Sequence, residues 1–404
     1  MKTPAHKTDR LHSLDSLRAI MMMLGIVLHS IITYDTIIHP GEWLLKDIAY
    51  TSNFMTWLYW LIHIFRMPIF FIVTGFFGAL LFYERSPEMM IKNRIKRVLF
   101  PFILFLFLLW PPMLFTFTYT NLVFSGTENA LSQSLNAFGE LSDFLPSTTM
   151  HLWFLYYLML FVFTSFGLGM MLKKLPRLST KINYVFHLIV EKPYARLLMF
   201  SAITFGLLLV MNQPWVSTST YFKPSIKTFV FYFVFYLFGW LLFKSKGLLK
   251  TFMQYDFLST IFGILLLTVS FLYKDKLSVE VIMALNALTV WSLSFGITGL
   301  FVRYGSEHSQ GMRYISDASY WVYLIHLPFT QLIPGMIADW NFPPPLKALV
   351  VLTTTSMICF ISYHYLVRNT FIGKFLNGKK YPIKTYSLGQ IKEILVRIWA
   401  IRNY

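Results

Sequence analysis

Cysteine is almost absent. The 404 residues contain one, Cys359, and it lies inside an apolar run. That excludes an intrachain disulfide and any cysteine-based metal centre. Charge is also scarce: Asp, Glu, Lys and Arg make up 13% of the chain, where soluble domains carry ~25%. Acidic residues are the scarcer sign, 18 against 35 basic. There is no low-complexity tract and no internal repeat of about 20–50 residues, which excludes a solenoid. Asp15 and Arg18 fall where the apolar core of a cleavable leader would sit. No HExxH, P-loop, GxSxG elbow or GxGxxG occurs, so no metal and no tightly bound cofactor is expected.

What the chain has is apolar bulk. Hydrophobic residues reach 56%, with 41 Phe and 11 Trp. Such a composition excludes an ordinary soluble enzyme and a disordered chain, and implies an integral membrane protein. Ten runs have the length of a helical span: about 15–36, 57–82, 98–119, 150–172, 195–213, 225–243, 256–273, 281–302, 316–337 and 346–367. The ninth is interrupted by Pro328 and Pro334. Ten spans put both ends on one side, and 27 of the 35 basic residues fall on that side, six on the other and two, Arg18 and Arg66, within spans. The fold class is therefore all-α, a polytopic membrane protein of about ten helices with both termini cytoplasmic. The same count removes the reason to invoke nucleic acid. The loop from Asn121 to Thr149 holds three acidic and no basic residues and reads as solvated and external. The membrane domain takes residues 1–370 and a basic tail takes 371–404. Within that tail, Ile391, Ile394, Leu395, Ile398 and Ile401 share a stripe, which reads equally as an amphipathic surface helix or as a frayed end.

Ionisable residues inside spans are costly and mark function more often than not. In the first span, Arg18 lies ~60° from Asp15 around the helix and His29 ~20° from Arg18, about 16 Å further along the axis. In the second span, His63 and Arg66 are three apart at the depth of His29. His151 and Trp153 open the fourth span at that same depth. Three histidines and an arginine thus converge on the outer third of the bilayer and suggest a polar pocket open to the outside. The bland alternatives are a structural histidine, an Asp15–Arg18 ion pair that anchors a helix end, and an interfacial anchor for Trp153. At the inner surface, Arg94 and Arg97 with Arg18 could clamp phosphates; plain cytoplasmic basic charge predicts basic residues there anyway and, on their spacing alone, is the preferred reading. In the ninth span, Ser319, Tyr323 and His326 lie within ~60° of one another.

Five patterns together resemble the acyltransferase 3 family of membrane O-acyltransferases. They are D-x-x-R with a histidine eleven residues after the arginine, FFIVTGF, the R-x-x-R-x-x-x-P of Arg94, Arg97 and Pro101, HLWFL, and S-Y-x-x-Y-L-x-H-x-P. They occur in order along the whole chain. FRMPIFFIVTGFF and HLWFL look most like the branch associated with succinylation of periplasmic glucans. Thr74 stands where the family commonly has Ser, and no soluble SGNH-type domain follows the last span. The resemblance implies that His29 is the general base for an acceptor hydroxyl. It implies that Arg18, Arg94 and Arg97 hold the phosphates of a cytoplasmic acyl-CoA, with Asp15 orienting Arg18. Ser319, Tyr323 and His326 would line the path between, and His63, Arg66, His151 and Trp153 would hold substrate. The implied donor is acyl-CoA, with succinyl-CoA as the specific case. The implied acceptor is a periplasmic glucan or other envelope polysaccharide, and the implied location the bacterial inner membrane. The rival expectation is a secondary transporter that uses His29, Arg66 and His326 as a proton or substrate path.

Overall fold

The computed structural model describes residues 11–39 and 43–381. Apart from an isolated bridge between His39 and Trp43, all regular secondary structure among the described residues is helical. In order the α-helices are α1 His12–Ile31, α2 Asn53–Leu80, α3 Pro87–Arg94, α4 Phe100–Phe124, α5 Ala130–Leu135, α6 Trp153–Lys174, α7 Pro176–Glu191, α8 Pro193–Met211, α9 Ile226–Lys244, α10 Asp256–Leu272, α11 Val279–Tyr304, α12 Gln310–Met336, α13 Pro344–Ser362 and α14 Phe371–Asn377. The stripe beyond Tyr381 lies outside the described residues.

Among the described residues, nine helical stretches are long and apolar enough to cross a membrane. They coincide with nine of the ten expected spans. The remaining one is α12, which at 27 residues is about 40 Å long. Its composition is more polar because its polar residues face protein. Ser319, His326, Thr330 and Gln331 are buried, and the helix packs against α1, α4 and α13. Phe107 and Leu108 of α4 and Leu258 and Leu265 of α10 are exposed, as lipid-facing side chains should be.

Helix association in lipid depends on close packing, because lipid tails are as apolar as leucine. The α2–α9 contact shows this. A Cβ at Gly75 would collide with the Tyr236 carbonyl oxygen, and one at Gly239 with that of Ile72. The two backbones touch through reciprocal glycines. Gly206 of α8, by contrast, has open space at its Cβ position. Gly206→Ala should therefore stabilise the protein by up to ~1 kcal/mol through helix propensity. Gly239→Ala should destabilise it by about 1–3 kcal/mol or more through overpacking. Melting curves of the two variants in detergent should move in opposite directions; the same direction would refute the packing argument.

Three π-turns, Leu81–Arg85, Ile95–Leu99 and Tyr363–Val367, sit at the ends of α2, α4 and α13 on one side of the bundle. Each adds a residue to the helical repeat and changes the direction of neighbouring side chains. The middle one begins just after Arg94 and contains Arg97, so it sets the geometry of the arginines there.

Candidate active site

A cavity of about 270 Å³ opens near the ends of α1, α2, α6 and α12 that the charge count expects outside, and is called the outer cavity below. His29 comes from α1, His63 and Arg66 from α2, and Tyr323 and His326 from α12. His151 comes from the short 3-10 turn Met150–Leu152, and Trp153 from the first turn of α6. The imidazoles form a chain. The His29 and His326 ring centroids are 5.4 Å apart, and those of His326 and His151 are 5.3 Å apart. His63 stacks on Tyr59 at 5.2 Å.

Hydrogen bonds fix two of the tautomers. His326 Nδ1 lies 2.7 Å from the Tyr323 carbonyl oxygen and 3.2 Å from that of Val322, so it must carry the proton and donate it. Its Nε2 is then a bare lone pair, and it is buried with no partner. His151 Nε2 donates to the Leu324 carbonyl at 2.9 Å, which leaves Nδ1 as the buried, unpartnered lone pair. The Tyr323 hydroxyl donates to the His151 carbonyl at 2.8 Å and ties α12 to this turn. Met150 adopts a left-handed φ of 50°, which is unfavourable for a residue with a long side chain. The Thr149 amide and hydroxyl, both bonded to the Thr220 carbonyl at 2.7 and 2.8 Å, hold the turn in place.

His29 Nδ1 is also buried without a partner. His29 itself is half-buried, with its open side on the cavity. One turn below, Gly25 lets the Arg66 guanidinium lie on the α1 backbone; a Cβ there would be 2.8 Å from Nη1. Arg66 Nε has no hydrogen-bond partner, and no ion pair among the described residues includes Arg66. The site therefore holds three buried imidazole nitrogens without a hydrogen-bond partner and one cation without an ion-pair partner. Among the described residues no group of three His, Cys, Asp or Glu is placed to hold a metal ion.

A second cavity of about 290 Å³ lies towards the opposite end of the bundle, the one expected inside, and is called the inner cavity below. Arg18, Arg94, Arg97 and Ser319 line it, and Met22, Phe70 and Phe154 line both cavities and separate them. Arg18 pairs with Asp15 at 3.5 Å and lies over the Phe77 ring. Arg94 Nε is buried and unpartnered. Arg97 differs from the expectation drawn for it. Its Nη1 donates to the Lys374 and Phe375 carbonyls at 2.8 and 2.7 Å, which fastens α14 to the body of the protein. It borders the cavity, but part of its donor set is already used. Ser319 also separates from its expected companions. It belongs to the inner cavity, while Tyr323 and His326 belong to the outer one. One helix thus serves both. Trp153 is buried in the outer cavity wall and is not an interfacial anchor.

The motif reading missed Trp43. It comes from the α1–α2 loop, lines the outer cavity, and its ring lies 5.4 Å from His29. Its indole N–H donates to Thr33 Oγ1 at 3.1 Å. Asp35, fully buried, anchors this loop through His39 at 2.6 Å and through Lys46. Burial pulls the Lys46 amine below its ordinary pKa, although Asp35 pulls the other way. An aspartate, a histidine and a lysine, Asp35, His39 and Lys46, in the short α1–α2 loop were the available signal. Gln331, about two turns of α12 beyond Tyr323, also lines the cavity and receives the Thr116 hydroxyl at 3.0 Å.

The model of an acyltransferase domain family matches residues 11–364. Glucans biosynthesis protein C from Salmonella paratyphi B and from Salmonella dublin are each 25% identical over 388 residues, covering 95% of this chain and 98% of theirs. The protein of that name from Salmonella typhi is 25% identical over 397 residues, with the same coverage. No solved structure matches.

Proposed function

Because the chain belongs to the acyltransferase 3 family, we propose that it carries an acyl group from an inner-side thioester donor to a hydroxyl in the outer, histidine-lined cavity. The carrying observation is the pair of cavities divided by Met22, Phe70 and Phe154, with arginines lining one and unpartnered imidazole nitrogens in the other. Membership makes it a membrane acyltransferase. The donor, the acyl group and the acceptor are the proposed part.

In this reading Arg18 and Arg94 hold the phosphates of acyl-CoA. The pantetheine arm passes the septum and places the thioester carbonyl beside His29. His29 Nδ1 takes the proton of a sugar hydroxyl while the oxygen attacks the carbonyl carbon. The tetrahedral intermediate then expels the CoA thiolate as the C–S bond breaks, and the thiolate takes the proton back from the imidazolium. A neutral imidazole suits proton abstraction near neutral pH. The uncompensated Arg66 supports an anionic acyl group such as succinyl. The names of the glucans biosynthesis relatives support a glucan as acceptor, and a periplasmic one would suit a cavity on the outer side. The inner membrane of a bacterium is the matching location.

The test is ester formation by purified protein in detergent with succinyl-CoA and a glucan, read by mass spectrometry. Failure to form ester while a proteoliposome takes up substrate would favour the transporter. In the same assay Arg18→Ala and Arg94→Ala should each raise KM for the donor tenfold or more, since a charge-assisted contact is worth about 1.5–3 kcal/mol. An unchanged KM would return both residues to simple topology charge.

The proposed sidedness has its own check. Cys359 is fully buried, so a Cys359→Ala background carries no competing thiol. A cysteine at position 125 should react with impermeant reagent in intact cells, and one at position 179 only after permeabilisation. Labelling of position 179 in intact cells would invert the orientation.

A further inference from the structure

A third cavity, about 210 Å³, lies between α2, α8, α9, α10 and α11. It shares His63 with the outer cavity and none of the arginines. Pro68, Leu208, Phe231, Leu267 and Val290 give it mostly apolar walls, broken by Thr204, Ser270 and Asn286, and Lys274 lies at its edge. Asn286 is fixed by its bond to the Pro214 carbonyl at 2.9 Å. Lys274 stands just beyond the end of α10 and is exposed. The rim helices α8 and α10 are among the least buried spans, 33% and 22%, so the cavity adjoins lipid.

We propose that this cavity takes one acyl chain of an anionic phospholipid from the leaflet on the histidine side, with the headgroup phosphate at Lys274. Two arguments select this occupant. An empty apolar void forfeits dispersion contacts on every wall atom, so a flexible chain from the adjoining bilayer fills it favourably. A chain gains no hydrophobic energy by moving from lipid to protein, so the headgroup must supply the preference, and Lys274 and Lys276 outweigh Asp275 in that loop. A mostly apolar cavity with a lysine just past the end of one of its helices fits a chain and an anionic headgroup. His63 lines both cavities, and Trp60 of this one lies 5.8 Å from it and 4.9 Å from Trp215, so the chain would border the ring that faces the outer cavity. This inference does not rest on the acyl-transfer reading.

The experiment uses the full chain in nanodiscs doped with phosphatidylglycerol or phosphatidylcholine carrying a diazirine in the acyl chain. Peptide mapping should place label on Leu208, Leu267 and Val290 above the outward residues Leu258, Ile261 and Leu265. One surface cation should favour the phosphatidylglycerol probe roughly fivefold, and Lys274→Gln should remove that preference. Val290→Trp should fill the cavity and lower its labelling; if that variant misfolds, Leu208→Phe takes its place. Labelling no stronger than on the outward residues, equal labelling by both probes, or indifference to the filled variants would each overturn the proposal.

Discussion

His29→Gln is expected to lose ~10²–10⁴-fold in acyl-transfer rate, the usual contribution of a positioned general base. Glutamine keeps a polar group of similar reach but has no nitrogen that can take a proton. The surroundings give the variant little to disturb, because His29 Nδ1 makes no hydrogen bond to protein. A purely structural histidine would use that nitrogen. The ring touches Trp43 and His326 at centroid distances of 5.4 Å each, so a modest loss of packing is the other consequence. The variant should insert, stay monodisperse in detergent and bind the donor with near-normal affinity. His326→Gln is the necessary companion. It removes the Nδ1–H bonds to the Tyr323 and Val322 carbonyls, so it should lower thermal stability as well as rate. If His29→Gln keeps most of the rate while His326→Gln loses it, the base is His326, whose Nε2 lone pair is equally open.

Arg66→Met should show the second large effect, and its signature is a divergence between activity and stability. A guanidinium without a counter-charge in a membrane span is a cost to folding, and replacing such a group by an apolar one of similar volume is often neutral or stabilising. The melting temperature of Arg66→Met should therefore hold or rise. Activity should fall, because a charge-assisted contact to an anionic acyl group is worth about 1.5–3 kcal/mol, or ~10–150-fold in kcat/KM. Arg66→Lys should recover part of it, since an ammonium keeps the charge without the planar fork. A neutral donor such as acetyl-CoA should lose much less than succinyl-CoA with Arg66→Met. Equal losses with both donors would remove the anionic acyl group from the reading. A fall in stability together with activity would make Arg66 a packing residue.

Hydropathy and helix geometry are local properties, and what rests on them was legible in the chain. Nine of the ten expected spans recur as apolar helices, and α12 recurs as a helix too polar for a span by composition alone. The common depth of His29, His63, Arg66 and His151 follows from a rise of about 1.5 Å per residue counted from the span ends, and all four line one cavity. The Asp15–Arg18 pair follows from i,i+3 spacing. Tertiary structure decided the rest. That His326 stands between His29 and His151 depends on how α12 rotates against α1 and α6, and no spacing within α12 contains that angle. Arg97 borders the inner cavity but reaches back to α14, a partner 277 residues away in sequence. Trp43 reaches His29 because buried Asp35 ties its loop to His39 and Lys46. The division into two cavities is made by Met22, Phe70 and Phe154, ordinary apolar residues of three different helices. Their role is set by packing between helices, which a one-dimensional pattern of polar and apolar residues does not encode.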